Sequence, residues 1–160
     1  PIGAGLGGGS SDASFTLKAL NKIFNLKLSN KELEKYALKL GADCPFFIDN
    51  TPKLVEGMGE KMKKINIDLS AFKIKLVNPK IHISSSDAYD GVIPIIPNLY
   101  PQEIIQLSVK DWKGKLKNDF EDSIFKKYPN LKNLKENLYN EGSIYVSMSG
   151  SGSVFYSLNL

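Results

Sequence analysis

Five glycines and three polar side chains stand close together near the start of the chain: Gly3, Gly5, Gly7, Gly8 and Gly9, then Ser10, Ser11 and Asp12. Glycines let successive backbone N–H groups turn to one side with no Cβ in the way, and a helix beginning behind them adds its positive end. Such a segment is a cradle for anionic oxygens. Asp43, within Gly41-Ala42-Asp43-Cys44-Pro45, places a carboxylate in a turn. There it could accept the proton of an attacking alcohol, or simply cap the turn before Pro45. A second glycine-serine loop, Ser149-Gly150-Ser151-Gly152, reads on its own as an ordinary hairpin turn.

Three other readings of the first loop compete with the cradle. A flexible linker accounts for the glycines but not for Ser10-Ser11-Asp12 and an apolar helical pattern directly behind them. A dinucleotide fingerprint is formally present as Gly3-x-Gly5-x-x-Gly8, yet its acidic partner should end a strand, and Glu32 and Glu34 fall in a predicted helix. A Walker loop is excluded because no Gly-Lys-Ser/Thr follows.

The rest of the composition narrows the chemistry. All 21 basic residues are lysine, so no bidentate guanidinium clamp is available, and phosphate charge must be met by backbone N–H groups, lysines or a metal. One cysteine, Cys44, excludes an internal disulfide framework and a multi-cysteine zinc site, and the single His82 argues against a histidine-rich metal centre. A net charge of +4 spread along 160 residues does not indicate a nucleic-acid or membrane partner. No apolar run approaches the length of a membrane helix and no signal segment stands at the start, so a soluble protein is expected.

The elements that must position these residues follow from periodicity. Ser10 and Ser11 are expected to cap a helix whose apolar face is Ala13, Leu17, Leu20 and Phe24, four, three and four residues apart. Ser29 and Glu32 form a capping box for a second helix through Leu40, ending at Gly41. Short strands at 53–56 and 62–67 flank Gly57-Met58-Gly59-Glu60 as a hairpin. Phe72, Ile74 and Leu76 alternate with lysines as a half-buried strand, with His82 read as an exposed strand residue and Trp112 as packing. Ser84 caps a short helix through Tyr89, residues 92–101 are a proline-rich loop, and Pro101 suits a first helical turn. Helices at 117–128 and 129–140 precede two strands around the second glycine-serine loop.

Pro1-x-Gly3-x-Gly5-Leu6-Gly7-Gly8-Gly9-Ser10-Ser11-Asp12-Ala13 resembles the second signature of the galactokinase, homoserine kinase, mevalonate kinase and phosphomevalonate kinase (GHMP) superfamily, whose core is Gly-Leu-Gly-Ser-Ser. The extra glycine is similar to the branch that phosphorylates diphosphocytidyl methylerythritol in the non-mevalonate isoprenoid pathway. So are the segments from Gly41 to Phe47, Glu56 to Glu60, and Ser149 to Gly152 before Val154-Phe155, in matching order and spacing along nearly the whole chain.

The resemblance implies an α+β fold of two-domain GHMP architecture. It comprises a partial ribosomal-protein-S5-like, ATP-binding N-terminal domain over residues 1–70 and a ferredoxin-like C-terminal domain over 71–160. It implies ATP and Mg2+ as cofactors, with the nucleotide held by Gly3, Ala4, Gly5, Leu6, Gly7, Gly8, Gly9, Ser10, Ser11 and Asp12, and with Ser11 as a metal ligand. Asp43 becomes the catalytic base or the carboxylate that orients the substrate hydroxyl, and Gly41, Asp43, Ser85, Ser86 and Tyr89 face the substrate. Tyr89 offers an aromatic face for a base, although a serine-rich helix cap explains Ser84–Ser86 equally well. The Ser149–Gly152 loop is expected to support the cradle rather than do chemistry, and Asn118-Asp119-Phe120-Glu121, also family-like, is assigned none.

The superfamily's first signature, with its lysine near the transferred phosphate, is not among these residues. An N-terminal segment is therefore expected as the chain's missing partner, and the isolated chain is expected to hold cradle and base without turnover. The expected compartment is the cytoplasm or a plastid-type organelle, and the oligomeric state is open. A homoserine- or mevalonate-type kinase and a non-catalytic nucleotide-binding module are the alternatives.

Overall fold

Apolar spacing predicts a helix behind the glycines, and the computed structural model, which describes residues 3–160, has α1 at Gly8–Ile23. Pro1 and Ile2, the first positions of the family-like signature, lie outside the described residues. The helix starts earlier than the serines suggest. Gly7 has left-handed backbone (φ 65°) and stands as N-cap, so Ser10 and Ser11 fall inside the first turn and the helix has no side-chain cap. Ala13 and Leu17 pack inward, whereas Leu20 and Phe24 of the expected apolar face are exposed.

Two compact units are present, residues 7–66 and residues 3–6 with 67–160. In the first, α2 (Asn30–Leu40) begins at the expected capping box: Ser29 Oγ accepts from Glu32 N (3.4 Å) and Ser29 N donates to Glu32 Oε2 (2.8 Å). α3 (Cys44–Asp49) takes Pro45 in its first turn, where a missing N–H leaves no gap in the hydrogen-bond ladder. β1 (Lys53–Glu56) and β2 (Lys61–Lys64) form an antiparallel hairpin with Glu56 opposite Lys61. Leu33, Ala37, Cys44 and Ile48 are its buried core.

Asp49 joins α3 to this hairpin. Lys64 Nζ lies 3.0 Å and Lys53 Nζ 3.4 Å from its carboxylate, and Thr51 Oγ1 donates to it at 2.8 Å. The Lys64 contact, with Thr51 next, holds its carboxyl down at about 2. A depressed carboxyl stabilises the fold above its unfolded-state pKa and loses that contribution as pH falls through the folded value. Stability is expected to decline from about pH 4 down to about 2. Acid unfolding followed by circular dichroism should show this component removed in Asp49→Asn.

The second unit runs β3 (Lys73–Val77), α4 (Ser85–Tyr89), α5 (Pro101–Ile104), a 3-10 turn (Val109–Asp111), α6 (Phe120–Lys127), α7 (Pro129–Asn140), β4 (Tyr145–Met148) and β5 (Phe155–Asn159). Its sheet has the order β3-β5-β4, antiparallel throughout, with Val77 opposite Phe155 and Tyr145 opposite Leu158. Ile124, Leu131 and Leu138 of α6 and α7 bury against Val146, Met148 and Phe155. Each such buried side chain contributes about 1.5–3 kcal/mol. Trp112 packs edge-on to Tyr145 in a second cluster, as expected, but His82 lies in irregular chain after β3, exposed, and not in a strand. Among the described residues no helix is long and apolar enough to cross a membrane.

Candidate functional site

Within the unit of residues 7–66, the start of α1 and the start of α3 are stapled together by Ser14. This fully buried hydroxyl lies 2.8 Å from Ser10 O, one turn back, and 2.6 Å from Cys44 O. A hydroxyl that bonds the carbonyl four residues earlier is a common helical habit; the second carbonyl makes it a joint between elements. Asp43, next to Cys44, is thereby fixed beside the first turn of α1.

Gly7, Gly8, Gly9 and Ser10, the N-cap and the first three helical residues, have backbone N–H groups without helical partners. The ladder opens with Ser11 N, which donates to Gly7 O at 2.8 Å, and Asp12 follows it in the helix. Phe47 packs under Gly7, 2.8 Å from where a Cβ would stand.

Asp43 occupies the N-cap position of α3, but its side chain makes no cap hydrogen bond and the residue is exposed. The turn is closed by backbone alone, Cys44 N donating to Gly41 O at 3.1 Å. Turn capping therefore does not account for the carboxylate. The hairpin turn braces the same segment from behind: Gly59, buried and at φ 102°, is so close to Ala42 that any Cβ would overlap the Ala42 carbonyl. Sequence reasoning missed both Ser14 and this use of Gly59. Only the two glycines of Gly57-Met58-Gly59 hinted at a close approach.

In the other unit, Gly3, Ala4, Gly5 and Leu6 run against the Ser149–Gly152 loop. Ser149 Oγ donates to Gly5 O at 2.8 Å, and Val154 N donates to Ala4 O at 3.3 Å. Gly3 and Gly5 have left-handed backbone, φ 69° and 76°, and a Cβ on Gly5 would overlap the Ser149 carbonyl. Alternating left-handed residues turn backbone N–H groups into an anion-binding nest. The His82 ring lies beside Gly3.

Ser85, Ser86 and Tyr89 all lie in α4, behind the Ser84 cap, whose Oγ accepts from Asp87 N at 3.0 Å. Ser85 and Ser86 are exposed, and the Tyr89 ring stands nearly perpendicular to that of Phe120, centroids 4.9 Å apart, while remaining 69% exposed. Most of the aromatic side chain is therefore open to a ligand.

Among the described residues no group of three His, Cys, Asp or Glu could hold a metal ion. The Ser11 hydroxyl, expected as a metal ligand, lies in the first turn of α1.

The GHMP kinases N terminal domain profile matches residues 1–50, and the GHMP kinases C terminal profile matches residues 103–158. A 4-diphosphocytidyl-2-C-methyl-D-erythritol kinase of Azobacteroides pseudotrichonymphae is 52% identical over 159 residues, covering 99% of this chain and 60% of the relative. The enzyme of the same name from Bacteroides fragilis is 46% identical over 158 residues, covering 99% of this chain and 58% of its own. The chain thus spans about three fifths of the length of these relatives. A crystal structure of 4-(cytidine 5'-diphospho)-2C-methyl-D-erythritol kinase superposes with a TM-score of 0.80 at 31% identity, over 99% of this chain and 58% of that one. Homoserine kinase from Cytophaga hutchinsonii, at 17% identity and a TM-score of 0.67, shares the fold over 99% of this chain and 57% of its own.

Proposed function

The chain belongs to the GHMP kinase family, and from that premise we propose that the protein carrying it transfers the γ-phosphoryl group of ATP to the 2-hydroxyl of 4-diphosphocytidyl-2-C-methyl-D-erythritol. The observation that carries this reading is the near-complete match of the chain to relatives named for that substrate.

The residues fit the reaction as follows. Phosphoryl transfer asks a protein mainly for positioning and for charge stabilisation. Backbone N–H groups of Gly3–Leu6 and of Gly7–Ser10, with the Ser11 hydroxyl and Asp12 beside them, hold the nucleotide's phosphates, a role suited to a chain without arginine. The Asp43 carboxylate orients the substrate alcohol and takes its proton as the oxygen attacks phosphorus, ADP leaving from the opposite side. Magnesium, when bound with the nucleotide, neutralises phosphate charge. Gly41, Ser85 and Ser86 face the substrate, and Tyr89 stacks on the cytosine ring. A domain division near residue 70 and a cytoplasmic setting, suited to a charged water-soluble substrate, belong to the same reading.

Substrate choice is the direct test. The protein carrying this chain, given ATP and Mg2+, is expected to show a kcat/KM for the diphosphocytidyl alcohol at least about 10³ times that for mevalonate or homoserine, because a site built to bond polar groups rejects ligands lacking them. ADP release measured with each alcohol separates the cases. Preference for mevalonate or homoserine would replace the substrate assignment, and no release with any of the three would favour a non-catalytic nucleotide-binding module.

A further inference from the structure

β4 is an edge strand, and its outward-facing backbone groups would be open to water or to another strand. Side chains take them instead. Tyr139 Oη donates to Val146 O (3.2 Å) and accepts from Val146 N (3.1 Å). Glu121 Oε1 accepts from Met148 N at 2.9 Å, and the Asn118 amide donates to Met148 O and to Gly150 O, both at 2.8 Å. Glu121 is 3% exposed and is itself held by Lys135 of α7, 2.5 Å from its second oxygen.

Two of these side chains reach past ordinary edge protection. Met148 and Gly150 flank Ser149, whose hydroxyl donates to Gly5 O. The contact is close on both sides, since a Cβ on Gly150 would lie 3.0 Å from Gly5 O. The loop that Asn118 and Glu121 grip is thus the one that touches the backbone of the glycine segment.

We propose that Asn118 and Glu121 are positioning residues for Gly3–Leu6, acting through the Met148–Gly152 loop. The functional half of this proposal rests on the kinase reading above, in which Gly3–Leu6 binds nucleotide phosphate; the structural half does not. Asn118 also accepts from Phe120 N at 3.0 Å through Oδ1, so it helps start α6. Its two duties can be separated.

Asn118→Asp keeps an oxygen for Phe120 N, and aspartate is as good as asparagine at a helix start. It replaces both N–H donors with an acceptor facing two carbonyls. In the protein carrying this chain, Asn118→Asp is expected to raise the KM for ATP about tenfold with kcat within about threefold, and to speed hydrogen exchange at Val154 N–H, the donor to Ala4 O, about tenfold or more. Ser149→Ala, which removes only the Gly5 contact, is expected to reproduce the rise in KM if Asn118→Asp does not fold. Asn118→Asp indistinguishable from wild type in exchange at Val154, with Asn118→Ala impaired, would mean that Asn118 only starts the helix and would overturn the proposal. Failure of the wild-type protein to bind ATP would sink the kinase reading, and exchange at Val154 would still decide whether the clamp exists.

Discussion

Asp43→Asn is expected to lower kcat for alcohol phosphorylation by about 10²–10⁴-fold in the protein carrying this chain, with the KM for ATP and the thermal midpoint unchanged. The asymmetry follows from what Asp43 does not do. Its carboxylate makes no cap bond to α3, the turn is closed by Cys44 N and Gly41 O, and Pro45 sets the first helical turn by itself. Asparagine is isosteric and equally acceptable at an N-cap, so the fold has little to lose. What disappears is the capacity to take a proton. Asparagine retains a hydrogen-bonding oxygen, so a carboxylate that merely orients the alcohol predicts a loss of less than about tenfold. Steady-state kinetics on the two proteins distinguish base from orienter. Unchanged turnover would remove Asp43 from the reaction altogether.

How far the sequence alone could reach depends on the range of each interaction. The capping box at Ser29 and Glu32, the turn around Gly57–Glu60 and the Ser84 cap join residues three or four apart, and each is legible because type and spacing determine it. The start of α1 is not legible in the same way, because serine is a good cap in general, whereas here a left-handed Gly7 begins the helix and leaves the serines inside. The expected apolar face of α1 was legible as periodicity, but its burial was not, since Leu20 and Phe24 remain exposed.

The site divides in the same way. The glycine cradle and Asp43 stand out by residue type. The parts that hold them do not. Ser14 bonds Cys44 across 30 positions, Asn118 bonds Met148 across 30, and Ser149 bonds Gly5 across 144. A serine or an asparagine gives no local sign of which distant carbonyl it will meet, because that is set by how the elements pack. Asn118-Asp119-Phe120-Glu121 carries no chemistry in the sequence reading, and in the structure its side chains hold the loop that touches the glycines.

Gly5→Ala is expected to be the most damaging single methyl addition in the cradle, and a second glycine provides the control. Gly5 and Gly114 have nearly the same positive φ, 76° and 78°, so alanine at either meets a similar left-handed penalty of about 1–2 kcal/mol. Around Gly114 there is nothing within 4 Å of the new methyl. At Gly5 the methyl overlaps the Ser149 carbonyl and lies 2.9 Å from Gly152 N, both backbone atoms that cannot swing aside like a side chain. Relief requires the glycine segment and the Ser149–Gly152 loop to separate, at a further cost of about 1–3 kcal/mol typical of overpacking. Separation breaks the Ser149 Oγ to Gly5 O and Val154 N to Ala4 O bonds, and the nest of N–H groups goes with them. Chemical denaturation is therefore expected to show Gly5→Ala destabilised by about 2–5 kcal/mol against about 1–2 for Gly114→Ala, with a KM for ATP raised at least about 100-fold only in the former. Equal loss of stability in the two variants would show that the backbone conformation, and not contact with the Ser149–Gly152 loop, is what requires glycine at position 5.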